Sequence, residues 1–492
     1  MYDSTMRARG TQKQSVLIRA ATLGFDPRHE SARVVRRLAL VHAGSSIALK
    51  EQEIVCDVTD SPMDRADYRR NAIAMALDSS LFFMAMSFVG TTTVLPAFLA
   101  TLTESELVIG VGSGITRGAW LLPQLLVAGL VTRLTHRKPL IVGAAWASRP
   151  ILPLIAFIVW RYSAVAPNTT LIVVLSLFFL LFVVDAVVSV PWFDHMARTI
   201  PPERRGIVIG TGQVMGGLGG IGAGALVAYV LSEQSRWGYP ENYALVFGIG
   251  GALLMLSAVA ISFLSNPECK PKEGEHTPTL RETLASLPGI LTEDRPFRRL
   301  VAVQLLAGFV GVSSAFYILY AQRVLAFGEA EIGLFVSAQV VGSVSAGLLL
   351  GYIQNRWGPL IHVRIQIIIG LLPPILALLS GPASLVSYEA ARAVYLALYF
   401  VLGVYIGGFS WPFFNWILEY APEPRRPLYI GLMNTLTATT MLAPALGGWI
   451  VSAVSYPAVF ALALTFAALA LGTSVGLPST RTSVAPRVKE SV

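Results

Sequence analysis

The sequence predicts an all-α integral membrane protein: twelve transmembrane helices in two pseudo-symmetric six-helix bundles. Three observations predict it. Of the 492 residues 54% are hydrophobic and only 13% charged, about half the charge of a soluble protein. That deficit excludes a soluble enzyme or a DNA-binding protein. The charge that exists is also uneven, because residues 1–70 hold 12 Lys/Arg and 9 Asp/Glu while the rest divides into apolar segments. Each segment has about the 20 residues a membrane helix needs. Finally, one stretch of sequence recurs 221 positions later, at the place a six-plus-six duplication demands.

Taken in order, residues 1–70 read as a cytoplasmic tail. They begin polar, contain acids and lack the long apolar core of a signal peptide. Residues 31–49 have the pattern of a marginal surface helix. Met63 opens MDRADYRRN, an ordinary lead-in to a first span, so residues 1–62 read either as a solvated tail or as an extension upstream of the native start. The first bundle, within 71–264, comprises segments 74–98, 107–130, 139–160, 169–191, 207–231 and 242–264. A polar linker, 265–298, is expected on the cytoplasmic side. The second bundle, within 299–477, comprises 300–321, 329–351, 360–380, 393–414, 428–451 and 457–476, and 478–492 is a second cytoplasmic tail. None of these segments has the alternation of a membrane β-barrel strand.

The two cysteines, Cys56 and Cys269, lie outside the segments and offer neither metal spacing nor a disulfide framework. The six histidines form no cluster. No cofactor is expected, and the net charge of +8 is better explained by topology than by nucleic acid. With the N-terminal tail inside, inner connections hold fifteen Lys/Arg, among them Arg133, Arg137, Lys138, Arg204, Arg205, Arg356, Arg425 and Arg426. Outer connections hold four: Arg161, Arg236, Arg323 and Arg392. This positive-inside bias puts both termini in the cytoplasm of a cell (inner) membrane.

The repeat pairs VPWFDHMARTIPPERRGIVIG, from Val190, with the stretch ending at Gly431. Shifted by 221 without a gap, Phe193 meets Phe414, Asp194 meets Asn415, Pro201 meets Pro422, and Arg204-Arg205 meet Arg425-Arg426. These are the fourth-to-fifth and tenth-to-eleventh junctions. A further motif lies at the eighth-to-ninth junction, which reads GYIQNRWG; the second-to-third junction reads GLVTRLTHRK.

Parallel six-helix halves with such loops resemble the major facilitator superfamily of secondary transporters. That family marks its 2–3 and 8–9 loops with Gly-x-x-x-Asp-Arg-x-Gly. Gly351, Arg356 and Gly358 match, with Asn355 in the Asp position. The first-half loop keeps Gly129, Arg133, Arg137 and Lys138 but has no Asp, which puts its charge latch in doubt. Helix 5, GQVMGGLGGIGAG, and APALGG in helix 11 partly resemble the glycine-proline pattern of the family's antiporters, a lean toward export. The resemblance implies a monomeric transporter of a small organic solute working by alternating access, coupled to protons. An uncoupled facilitator or transporter-like receptor is the alternative. A membrane enzyme is the rival class, with Asp194-His195 beside Glu203 as its candidate group. No Gly-x-x-x-x-Gly-Lys-[Ser/Thr] loop suggests ATP use.

Four ionisable residues interrupt the first-half segments: Asp78, Arg117, Arg149 and Asp185. Charges inside spans are costly and face a cavity or a partner. Arg117 and Arg149 lie about 15 Å deep at 1.5 Å per residue, and the two acids are expected nearer the inner side. The resemblance puts Asp78 and Asp185 on cavity-lining helices. Two readings stay open: the charges pair and brace the bundle, or an Asp binds and releases a proton as Arg or substrate competes for it. Gly212, Gly216, Gly220 and Gly224 recur every fourth residue, a seam for close packing or for sliding. Trp411, Phe413, Phe414 and Trp416 read as an interfacial aromatic belt.

Overall fold

The computed structural model describes residues 65–124, 127, 137–265, 289–422 and 426–481, which form helices and short turns without a strand among them. Arg117 is described in its backbone alone, and Arg133 and Arg425 lie outside the described residues. The first bundle runs α1 (Arg65–Val89, then Val94–Leu102), α2 (Glu106–Leu121), α3 (Lys138–Ser148, then Ile151–Tyr162), α4 (Pro167–Thr199), α5 (Pro202–Val230) and α6 (Glu241–Ser262). The second runs α7 (Arg295–Phe309, then Phe316–Arg323), α8 (Ala330–Trp357), α9 (Pro359–Val386) and α10 (Tyr388–Gly408, then Trp411–Tyr420). It ends with α11 (Arg426–Thr437, then Ala443–Ala453) and α12 (Tyr456–Ser474). Among the described residues, eleven spans are long and apolar enough to cross a membrane; α2, whose description stops near its middle, is the twelfth helix of the two-bundle layout.

Helix starts follow local chemistry. Proline occupies the first turn of α3, α4, α5, α7 and α9, where its missing N–H costs nothing. Ser105, Ser387 and Ser455 cap α2, α10 and α12 by accepting a backbone N–H. Asp294 caps α7 through the Phe297 N–H at 3.0 Å, so α7 begins at Arg295, before the apolar segment does. Both α1 and α4 also outrun their apolar segments, the latter passing through Pro191 to Thr199. Gly90, at φ +49°, breaks α1, and its carbonyl accepts from Thr93 and Leu95.

Helices 1, 3, 5, 7, 9 and 11 start at the face where the described residues begin and end, here the tail face; the even-numbered helices start at the far face. Within the first bundle α1 packs on α5 and α6, and α3 on α4 and α6. Backbones approach closely where glycine removes the side chain. A Cβ on Gly212 or Gly216 would fall 2.6–2.7 Å from Ser79 or Phe83 of α1. Such contact is the main source of helix association in lipid, where apolar burial supplies little.

The two bundles meet along α2–α11 and α5–α8. Gly110 and Gly114 lie against the Pro444 and Met441 carbonyls, and Gly224 against Gly333 and Ser337. Along α5–α8 this contact runs from the far face to mid-helix, where Gly217 meets Val344. Nearer the tail face Gly206, Gly210, Gly347 and Gly351 face open space. On this flank the bundles diverge toward the tail face.

Candidate functional site

Three of the four charges expected within the first-half spans, Asp78, Arg149 and Asp185, are gathered into one cluster inside the first bundle. Arg149 leaves the joint between the two pieces of α3, and its Nη1 donates to Asp185 of α4 at 2.7 Å. Its Nη2 lies 4.0 Å from Asp78 of α1, and the Ser257 hydroxyl of α6 donates to that same Asp78 oxygen at 2.5 Å. The guanidinium also sits 4.9 Å above the Phe82 ring. All three charged residues are at most 6% exposed. The acids stand level with Arg149 rather than nearer one side, because α1 and α4 extend past their apolar segments toward the tail face.

Chemically, the cluster sets two carboxylates against one described guanidinium. Asp185 has the direct ion pair, whereas Asp78 has a hydroxyl and a guanidinium at a distance. A buried excess charge is expensive in this setting.

At the tail face an acid of α4 lies against the basic end of the first-half loop. Asp194, near the end of α4, is ion-paired with Arg137 at 2.9 Å and accepts a hydrogen bond from Arg198 at 2.8 Å. With two arginines on Asp194, the Asp194-His195 pair is not arranged as a catalytic dyad. Lys138 is the first residue of α3, and Arg204 lies 5.2 Å over the Tyr68 ring.

One contact of the repeat recurs at the helix ends. Arg205 donates to the Ile200 carbonyl at 2.9 Å, and Arg426, its counterpart, to the Ala421 carbonyl at 3.2 Å. In the second bundle Gly358 ends α8 at φ +88°, and Arg356 is exposed. The Asn355 carbonyl accepts from Arg481 at 2.9 Å. Residues 478–481 are laid along α10: the Pro478 carbonyl accepts from Trp416 at 3.2 Å, and Glu419 receives Thr480 at 2.5 Å and Arg481 at 3.4 Å. Trp416 and Phe413 are at most 1% exposed, which corrects the aromatic-belt expectation for those two. Trp411 and Phe414 remain exposed.

A polar tie between the bundles escaped the sequence reading. At the far face Glu106 of α2 pairs with Arg323 of α7, and the Tyr456 hydroxyl of α12 donates to the same carboxylate oxygen at 2.5 Å. Thr92 of α1 donates to Gln339 of α8 at 2.8 Å, and Tyr399 of α10 to the Thr92 carbonyl at 3.3 Å. Nearer the tail face Asn434 of α11 donates to Gln124 at 3.2 Å. The only sequence signal for the Glu106 tie was a lone acid opening the second segment and a lone arginine ending the seventh.

The profile of the Major Facilitator Superfamily matches residues 77–439. The chain belongs to the Major Facilitator Superfamily. Solved members with the same fold are distant in sequence. The nucleoside transporter NupG is 14% identical, with a TM-score of 0.58 over 83% of this chain and 98% of its own. A D-xylose–proton symporter is 15% identical, with a TM-score of 0.58 over 84% and 99%. A bacterial homologue of the iron transporter ferroportin, solved inward-facing, is 16% identical, with a TM-score of 0.59 over 83% and 98%. No curated protein matches. As a superfamily member, the chain is a multi-pass membrane protein with a transporter fold.

Proposed function

We propose that this chain is a proton-coupled secondary transporter that moves a small organic solute by alternating access, with Asp78 as the proton-binding group. The carrying observation is that Asp78 and Asp185 share Arg149 inside the first bundle. With both acids ionised, the three groups carry one excess negative charge. A proton on Asp78 removes it and leaves Arg149–Asp185 as a neutral pair. A proton arriving or leaving therefore changes what Arg149 must balance, and α1, α3, α4 and α6 all feel that change.

The tail face is cytoplasmic in this reading, on the strength of the Lys/Arg bias, and the divergence of α5 from α8 marks the side from which solute enters. Export is the direction we favour, on the glycine pattern of α5 and the APALGG of α11. The solute is small because the superfamily's relatives of this fold carry nucleosides, sugars and ions.

The test has two arms. Infrared difference spectra of the purified protein across a pH titration should show a carboxylic-acid C=O band that Asp78→Asn removes. A thermal-shift screen of nucleosides, sugars, amino acids and drugs supplies a substrate for proteoliposomes. There, Asp78→Asn should abolish accumulation driven by an imposed pH gradient while solute exchange persists. Full gradient-driven accumulation in Asp78→Asn would sink the assignment.

A further inference from the structure

The fourth-to-fifth and tenth-to-eleventh junctions share one arginine-to-backbone contact at equivalent positions. Arg205 and Arg426 cap the same carbonyl position in each, at Ile200 and Ala421. The 221-residue shift that relates them also places Arg198 on Glu419. Each is the penultimate residue of its helix, α4 or α10. At this one register position the two bundles therefore carry opposite charges, whereas Arg204 and Arg205 face like charges in Arg425 and Arg426.

Both residues are engaged within their own bundle. Arg198 pairs with Asp194 at 2.8 Å, and Glu419 with Thr480 and Arg481. Both remain reachable, with side chains 22% and 33% exposed. Neither engagement is copied in the other half. The counterpart of Asp194 is the neutral Asn415, and Arg481 comes from beyond α12.

We propose that Arg198 and Glu419 are positioning residues that exchange these partners for one another when the tail face closes, forming an ion pair between the bundles. This rests on the alternating-access reading above. Halves related by an axis along the membrane normal bring equivalent residues of α4 and α10 together when those ends converge. Like charges there would oppose closure; opposite charges favour it. The exchange strands no charge either. Asp194 keeps Arg137 at 2.9 Å, and Arg481 keeps the Asn355 carbonyl at 2.9 Å. Arg481 and Asp194 thus compete with closure, and the new pair rewards it.

The test is disulfide formation between A197C and L418C, the preceding pair at the same shift, in a full-length C56S/C269S background. Closure should produce the crosslink in the parent. R198Q and E419Q should each slow it about threefold, as expected for a partly exposed pair. The charge swap R198E/E419R should restore the rate that R198E and E419R lose singly, a recovery that a merely structural role would not give. R481Q, which frees Glu419, should speed it. Unchanged rates in both glutamine variants, or a swap no faster than its single components, would overturn the pair while leaving alternating access standing. No crosslink in any background, the parent included, would overturn closure of the tail face and the transport cycle with it.

Discussion

Glu106 on α2 and Arg323 on α7 are ion-paired across the two bundles at the far face, where Tyr456 shares the same carboxylate oxygen. The tie holds the bundles together at the end that must part for the far side to open. Arg323 is about one-third exposed, so solvent screening limits the pair to about 1 kcal/mol. Glu106→Gln should therefore raise the population open at the far face about fivefold. Spin labels placed on the two bundles at that face report it directly; an unchanged distance distribution would show the pair to be incidental.

Arg149 stands between two buried carboxylates, so its loss strands them. Arg149→Leu should cost about 3–5 kcal/mol, the range for breaking a buried pair by removing one partner. Asp185→Asn keeps the shape and the hydrogen-bonding capacity and should cost less. Thermal unfolding in detergent compares the two. An Arg149→Leu protein as stable as the parent would mean the cluster does not brace the bundle.

Gly333 and Gly222 make a controlled comparison. A Cβ on Gly333 would overlap the α5 backbone at Gly224 and Ala228, whereas one on Gly222 meets nothing within 4 Å. Gly333→Val should force the bundles apart and lower both stability and transport, and Gly222→Val should do neither. Equal behaviour of the two would mean that α5 and α8 do not pack backbone to backbone.

Gly358 joins α8 to α9 at φ +88° and ψ 171°, a region essentially reserved for glycine. A Cβ there would also stand 3.1 Å from the Arg481 stem. Gly358→Ala should cost about 1–3 kcal/mol, read as a fall in unfolding midpoint. A midpoint within error of the parent would show that the loop relaxes freely.

Much of this architecture is legible in the sequence because membrane helices announce themselves locally. A run of apolar residues with a serine and a proline at its start locates α12 to within two residues at each end. The extensions of α1 and α4 were not legible, because the first turns of α1 and the last turns of α4 carry polar residues that hydropathy assigns to loops, and the level at which Asp78 and Asp185 meet Arg149 was hidden for that reason. Trp416 was misplaced by the same logic. A tryptophan near a span's end suits an interface, yet this one is buried against Pro478, from a segment that reads as tail.

Pairings across the chain were the least legible. Nothing local to Glu106 points to Arg323, 217 residues away, and the acid that pairs with Arg137 comes from α4, not from the loop whose pattern lacks one. The intramembrane charges were visible one by one; that Arg149 serves both acids follows only from how α1, α3, α4 and α6 pack.

The matched caps at Arg205 and Arg426 say something about what a duplicated fold retains. Each arginine addresses a main-chain carbonyl, and every residue type has one. Ile200 in one half and Ala421 in the other could therefore differ without cost to the contact. Contacts between two side chains have no such tolerance, since a change in one partner strands the other until a second change follows. Asp194 and Asn415, or Arg198 and Glu419, are where the halves have parted. The inherited scaffold survives in bonds to the backbone, and the asymmetry that lets two copies work as one machine is written in side chains that answer only to each other.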